Sequence, residues 1–149
     1  MSSNRKAPQK PKEKRKRHQT FSVIGRDRSA LQEALRISQE AASVGFDWGT
    51  AVEVLQKLEE EYRELRAELA APDQRAVAAE IGDLLFTIVN LARKLRIDAE
   101  DALHYANRKF LLRFLEMQKQ ALQAGRKLSD YSLVELEALW QAAKQQKHM

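Results

Sequence analysis

Six carboxylates fall into two short stretches whose spacing could do chemistry: Glu59, Glu60, Glu61 and Glu64 in the first, Glu80 and Asp83 in the second. Acids three or four positions apart share one face of an α-helix, where like charges repel by roughly 0.2–0.5 kcal/mol per pair. A flank built only for structure alternates its signs, whereas here Lys57 and Arg63 are the nearest cations. Carboxylate oxygens are hard ligands, and Mg²⁺ takes near-octahedral oxygen coordination while keeping waters and substrate phosphates in its shell. If the two stretches lie on neighbouring antiparallel helices, Glu61, Glu64, Glu80 and Asp83 converge at the edge of the core and can hold such an ion. The competing reading is a solvated acidic face, and spacing alone leaves both open.

The elements that must position these acids announce themselves by start signals. Ser29-x-x-Gln32 is a capping box opening a helix to about Val44, where Gly45 can stop it. Thr50-x-x-Glu53 opens a second, to about Ala70, before Ala71-Pro72-Asp73. A third spans about Gln74 to Leu95, Asp98 caps a fourth ending near Gly125, and Ser132-x-x-Glu135 opens the last, to about Gln145. No period-two strand is found, and connections this short favour antiparallel neighbours, so the fold class is all-α: an antiparallel bundle of about five helices. Leu55, Leu58, Tyr62, Leu65 and Leu69 form the expected core stripe of the second helix, beside a stripe of Lys57, Glu61, Glu64 and Glu68. On the third, Val77, Ile81, Leu84, Leu85, Ile88, Ala92 and Leu95 are expected in the core, with Glu80, Asp83, Thr87, Asn90 and Lys94 along one flank. Phe46 and Trp48 read as anchors of the turn between the first two helices.

Composition narrows the classes. The 149 residues suit one domain and, with 44% hydrophobic and 32% charged residues, can support a soluble core. The absence of Cys excludes disulfides, thiolate metal sites and a cysteine nucleophile within this sequence. Residues 1–28 carry ten Lys and Arg against Glu13 and Asp27, a balance of +8; residues 29–149 carry sixteen against nineteen acids, a balance of −3. Residues 1–25 are expected to form a disordered basic tail, since they offer almost nothing to bury; residues 26–149 form the domain. Residues 5–17 of the tail could contact nucleic acid or another polyanion, or serve only as a solubilising extension. The polar start is unlike a secretory signal and no apolar run approaches the roughly 18 residues of a membrane span, so a cytoplasmic setting is the expectation. His18, His104 and His148 lack metal-ligand spacing, and the five glycines form no phosphate loop.

The residues also carry a resemblance. Glu60-Glu61-x-x-Glu64 followed by Glu80-x-x-Asp83 resembles the paired acidic motif of the MazG family of all-α nucleoside triphosphate pyrophosphohydrolases. Val44-Gly45-Phe46-Asp47-Trp48 is similar to the family's entry segment, and Lys57-Leu58-Glu59-Glu60-Glu61 and Glu80-Ile81-Gly82-Asp83-Leu84-Leu85-Phe86 to its two motifs. The series continues through Val89-Asn90-Leu91-Ala92-Arg93, Ala106-Asn107-Arg108-Lys109-Phe110 with Arg113-Phe114, and Trp140-Gln141-x-x-Lys144. It covers roughly residues 29–146, like the C-terminal catalytic half of longer members. Ala79 departs from a position often acidic in the family.

The resemblance implies hydrolysis of a nucleoside triphosphate to a monophosphate and pyrophosphate, with Mg²⁺ as cofactor and Mn²⁺ as a substitute, in a homodimer. It implies Glu61, Glu64, Glu80 and Asp83 as metal ligands, with Glu60 and Glu61 as catalytic groups that orient ligands and the attacking water. Lys57, Lys109 and Arg113 would hold the triphosphate, Trp140 and Lys144 the base, and Asn90 and Asn107 the sugar or the ligands. Two other classes stay open: a helical dimer that binds nucleotides without hydrolysis, and a nucleic-acid-associated module acting through its basic tail.

Overall fold

The first four amides of a helix have no intrahelical acceptor, so a helix begins where a side chain can accept from them. A computed structural model of the chain describes residues 27–70 and 73–145; the expected basic tail lies outside them. Among the described residues the chain forms α1 (Ala30–Ser43), α2 (Ala51–Glu68), α3 (Gln74–Lys94), α4 (Ala99–Gln123), a 3-10 turn (Leu128–Asp130) and α5 (Leu133–Gln145), with no strand. All three expected capping boxes form. Gln32 N donates to Ser29 Oγ at 3.2 Å and Ser29 N returns a bond to Gln32 Oε1 at 3.2 Å. Thr50 with Glu53 and Ser132 with Glu135 repeat the exchange. Each such cap stabilises its helix by about 1 kcal/mol. Asp73 and Asp98 cap α3 and α4 by accepting from Arg75 N and from Glu100 N and Asp101 N. Gly45, at φ 91°, stops α1 in a left-handed conformation that a side chain would resist.

Only five residues separate α2 from α3, so the two helices return on each other as an antiparallel hairpin, the most extensive helix pair in the fold. α5 packs back on α4, and α1 lies against α3 with a smaller contact to α4. Val54, Val89, Met117, Ala121 and Ala143 are buried. The expected apolar stripes behave differently. Leu55 and Tyr62 on α2, Leu69 just past its end, Ile81, Leu85 and Ile88 on α3 and Leu95 just past its end are exposed, whereas Glu61, Thr87 and Asn90 from the polar flanks are buried. The stripes are only partly turned outward, since Leu58, Leu65, Val77, Leu84 and Ala92 stay half-buried: α3 is rotated so that Thr87 and Asn90 face its neighbours. Leu103, Phe110, Leu111 and Leu115 on α4 are exposed as well. Phe46, expected as a turn anchor, is 81% exposed, while Trp48 is half-buried.

The segment between α1 and α2 is fastened to the end of α3 by charge. Arg93 grips Asp47 with both terminal nitrogens, at 2.5 and 3.2 Å, and Lys94 Nζ reaches the same carboxylate at 2.6 Å while also donating to Trp48 O. The Arg93 hydrogen bond, with Lys94 adding to it, pulls the Asp47 carboxyl down from its ordinary 3.8 to about 2. Because the folded-state value lies below the ordinary one, the clamp contributes its full stability above about pH 4 and loses it as pH falls through about 2. Asp47→Asn is expected to lower stability by about 1–2 kcal/mol in urea unfolding at neutral pH. The gap to wild type should close as unfolding is repeated from pH 4 down to pH 2; a gap that persists there would remove the ionised carboxylate from the explanation.

Candidate active site and metal centre

Helical spacing puts Glu61, Glu64 and Glu68 of α2 on the side that meets α3. Glu64 and Glu80 stand similar distances along the chain from the turn that joins the helices, so the hairpin brings them level. One carboxylate oxygen from each of Glu61, Glu64 and Glu80 lies within 4.8 Å of the other two. Glu61 is 5% exposed, Glu80 half-buried and Glu64 exposed. Glu80 Oε2 is buried and has no hydrogen-bond partner. Burial, followed by the charges of Glu64, Glu61, Asp83 and Glu68, pushes the Glu80 carboxyl above its ordinary value. Converging hard oxygens, an unpartnered buried one among them, and uncompensated negative charge are what a divalent cation of the Mg²⁺ or Mn²⁺ type relieves, and the donor set fits it.

The other acids take distinct places. Asp83, one turn further along α3, is exposed and outside this group of three, yet its charge acts on Glu80. Glu60 is exposed and pairs with Lys57 Nζ at 3.2 Å; the same ammonium sits 2.8 Å from Glu61 Oε1. Those carboxylates, Glu61 first, hold the Lys57 pKa above its ordinary range. Glu68 lies outside the expected ligand set but contributes to the field on Glu80; its place one turn beyond Glu64 was the signal. Asn90 is 1% exposed, donates to Phe86 O at 3.3 Å and accepts from Arg93 at 3.2 Å. It lines a cavity of about 260 Å³ between α1 and α3, together with Trp48 and Phe86.

A second group assembles where α5 packs on α4. The Trp140 ring lies 5.0 Å from that of Phe110, and the Arg113 guanidinium stands 5.6 Å from the Trp140 centroid. Lys109 stands over Tyr105 at 5.5 Å, and Asn107 and Lys144 are exposed. Phe110 and Tyr105 were missing from the expected site, although Tyr105 and Lys109 stand at the i, i+4 spacing that lets a cation lie over a ring. Among the described residues α2 makes no extended contact with α4 or α5, while α3 meets α4 over a small contact. The fold thus gathers the acids on the α2–α3 hairpin and the cation–aromatic group on the α4–α5 pair.

A family model described as the MazG nucleotide pyrophosphohydrolase domain matches residues 50–114, the span holding both acidic stretches with Lys57, Asn90, Asn107, Lys109 and Arg113. Over 115 residues the chain is 44% identical to the nucleoside triphosphate pyrophosphohydrolase/pyrophosphatase MazG of Thermotoga maritima, covering 77% of this chain and 44% of that protein. Over 131 residues it is 40% identical to the nucleoside triphosphate pyrophosphohydrolase of Escherichia coli strain K12, covering 87% of this chain and 50% of that protein. The chain belongs to the MazG nucleotide pyrophosphohydrolase family. It spans about half the length of the curated relatives it matches. The MazG match includes the whole α2–α3 hairpin and the first part of α4; Trp140 and Lys144 on α5 lie outside it.

The carboxylate group of this MazG domain predicts its own signature. Glu80→Gln removes one of the mutually repelling charges, so the metal-free variant is expected to melt at a higher temperature than wild type at neutral pH. Mg²⁺ should raise the wild-type melting temperature and leave that of the variant unchanged. Equal Mg²⁺ stabilisation of both proteins in thermal scans would show that Glu80 is not a ligand.

Proposed function

We propose that this MazG domain hydrolyses nucleoside triphosphates to nucleoside monophosphate and pyrophosphate in a Mg²⁺-dependent reaction. The observation that carries the reading is the buried, unpartnered Glu80 oxygen beside Glu61 and Glu64, in a family named for this chemistry. Glu61, Glu64 and Glu80 would hold the ion, with Asp83 as a fourth ligand. When bound, Mg²⁺ neutralises the charge that builds on the triphosphate as the α–β anhydride breaks. Glu60 and Glu61 orient the attacking water and draw off its proton; the water oxygen bonds to the α-phosphorus and the bridging oxygen departs with pyrophosphate. Lys57, Lys109 and Arg113 stabilise that leaving group, since fixed cations act where charge develops. Trp140, already under the Arg113 guanidinium, presents a face for the base, with Lys144 beside it on α5. Asn90 and Asn107 contact the sugar. Among the described residues no helix is long and apolar enough to cross a membrane, which suits a cytoplasmic enzyme.

The same reading includes a homodimer whose site is shared. Among the described residues α2 has no extended contact with α4, and α3 meets α4 only over a small one, so little joins the acids to the α4 cations within one protomer. Leu85 and Ile88 on α3 and Leu103, Leu111 and Leu115 on α4 form outward apolar faces of the kind that mark an interaction surface. A second copy covering those faces sets its α4–α5 pair against the first copy's acids.

Two measurements test this. Purified protein given a panel of nucleoside triphosphates with Mg²⁺ should release monophosphate and pyrophosphate, and Glu61→Ala should lower turnover at least about 100-fold. Wild-type-like turnover in that variant would refute the ligand assignment. Glu61→Ala and Arg113→Ala, each inactive as a homodimer, should recover roughly a quarter of wild-type activity on equimolar subunit exchange, because mixed dimers keep one intact site. No recovery would place the Arg113 cation in the same protomer as the acids it serves.

A further inference from the structure

We infer that Lys57 is a placeholder cation, holding Glu61 while the metal is absent and released toward the triphosphate when the metal arrives. The inference rests on the metal-site reading above. Lys57 Nζ is 2.8 Å from Glu61 Oε1 and 3.2 Å from Glu60 Oε2, so its charge is committed to the acids and not offered to a phosphate. The Glu61 side chain is only 7% exposed, which leaves its carboxylate short of water and dependent on a counterion. The Lys57 side chain is 33% exposed, so the ammonium has solvent on one side and a flexible four-carbon stem on which to swing there.

Lys57 compensates the site only in part. It pairs with Glu61 and Glu60, while Glu80 keeps a buried oxygen without a partner and feels Glu64, Glu61, Asp83 and Glu68. One ammonium at the edge therefore offsets part of the repulsion, yet leaves enough uncompensated charge to draw in a divalent ion. Once an ion sits among Glu61, Glu64 and Glu80, the ammonium faces a like charge and loses its claim on Glu61. Its release sets a free cation beside the ion, where the phosphates would arrive. Binding is thereby ordered: nucleotide without metal meets a lysine already engaged. Because such coupling is reciprocal, the tie that Lys57 makes to Glu61 must weaken metal binding by the same factor that the metal weakens the tie.

Mg²⁺ titrations by calorimetry, on the nucleotide-free full chain, test this without reference to turnover. Lys57→Met is expected to bind Mg²⁺ at least about fivefold more tightly than wild type. Lys57→Arg keeps a cation in place and should bind no more tightly than wild type. Arg63→Met, which removes a charge paired with Glu59 at 3.6 Å outside the cluster, should leave the affinity unchanged. In ¹⁵N spectra of the lysine ammonium groups, the Lys57 signal, identified by its loss in Lys57→Met, should shift on Mg²⁺ saturation. An unchanged or weaker Mg²⁺ affinity in Lys57→Met, or a Lys57 signal indifferent to Mg²⁺, overturns the placeholder alone, provided Glu80→Gln still abolishes binding. If Glu80→Gln binds Mg²⁺ as wild type does, the metal-site reading fails and takes the placeholder with it.

Discussion

Mutual repulsion among carboxylates that the backbone will not let part is the constraint on which this structure turns. Free acids relieve such repulsion by moving into water. Here Glu61 and Glu80 are fixed on two helices whose contact is the most extensive in the fold, with Val54 and Val89 buried on the same two helices. Opening the hairpin would expose that apolar surface, so the charge stays concentrated and the relief must come from a counterion. The helix starts that frame the hairpin are capped by side chains, and the Asp47 clamp fastens the approach to α2 onto the end of α3. Rigid elements supporting a group of mutually repelling carboxylates are what a preorganised cation site needs.

The distribution of positive charge follows from the same constraint. Any cation free to reach the acids would neutralise them and close the site to a metal. Lys57 reaches them from one turn away and does so partially. Lys109 and Arg113 are kept apart: each lies over an aromatic ring on α4 or α5, where cation–π contact holds the charge without cancelling it. On the proposed reading, this arrangement would keep the two halves of the site charged until they meet.

Much of this was legible in the residues. Capping boxes at Ser29, Thr50 and Ser132 set helix starts that the structure reproduces, because a cap is a local event over four residues. Glu61, Glu64 and Glu80 followed from three- and four-residue spacing once two helices were set side by side. What periodicity could not provide was the identity of the partner each apolar stripe meets. Ile81, Leu85 and Ile88 do form a stripe, but α3 turns Thr87 and Asn90 to its neighbours instead. The Asp47–Arg93 pair was hidden because its members lie 46 positions apart, and nothing local to either residue names the other. The Lys57 tie to Glu61 sits at plain i, i+4 spacing, yet the same lysine also suits a phosphate, and only the observed contact shows which partner it holds without metal.

The burial pattern carries the argument one step further. A monomer that shelters Glu61, Thr87 and Asn90 while exposing Leu85, Ile88, Leu111 and Leu115 inverts what solvent transfer favours. Covering the outward faces of α3 and α4 with a second copy would restore the usual order, at about 25 cal/mol for each Å² of apolar surface removed from water. On the dimeric reading, that stabilisation and the completion of the site are one event: the contact that hides the apolar stripes also brings Arg113 and Trp140 toward a neighbour's carboxylates. Subunit association would then control both the stability of the fold and the competence of the site, so that neither can be understood at the level of a single protomer.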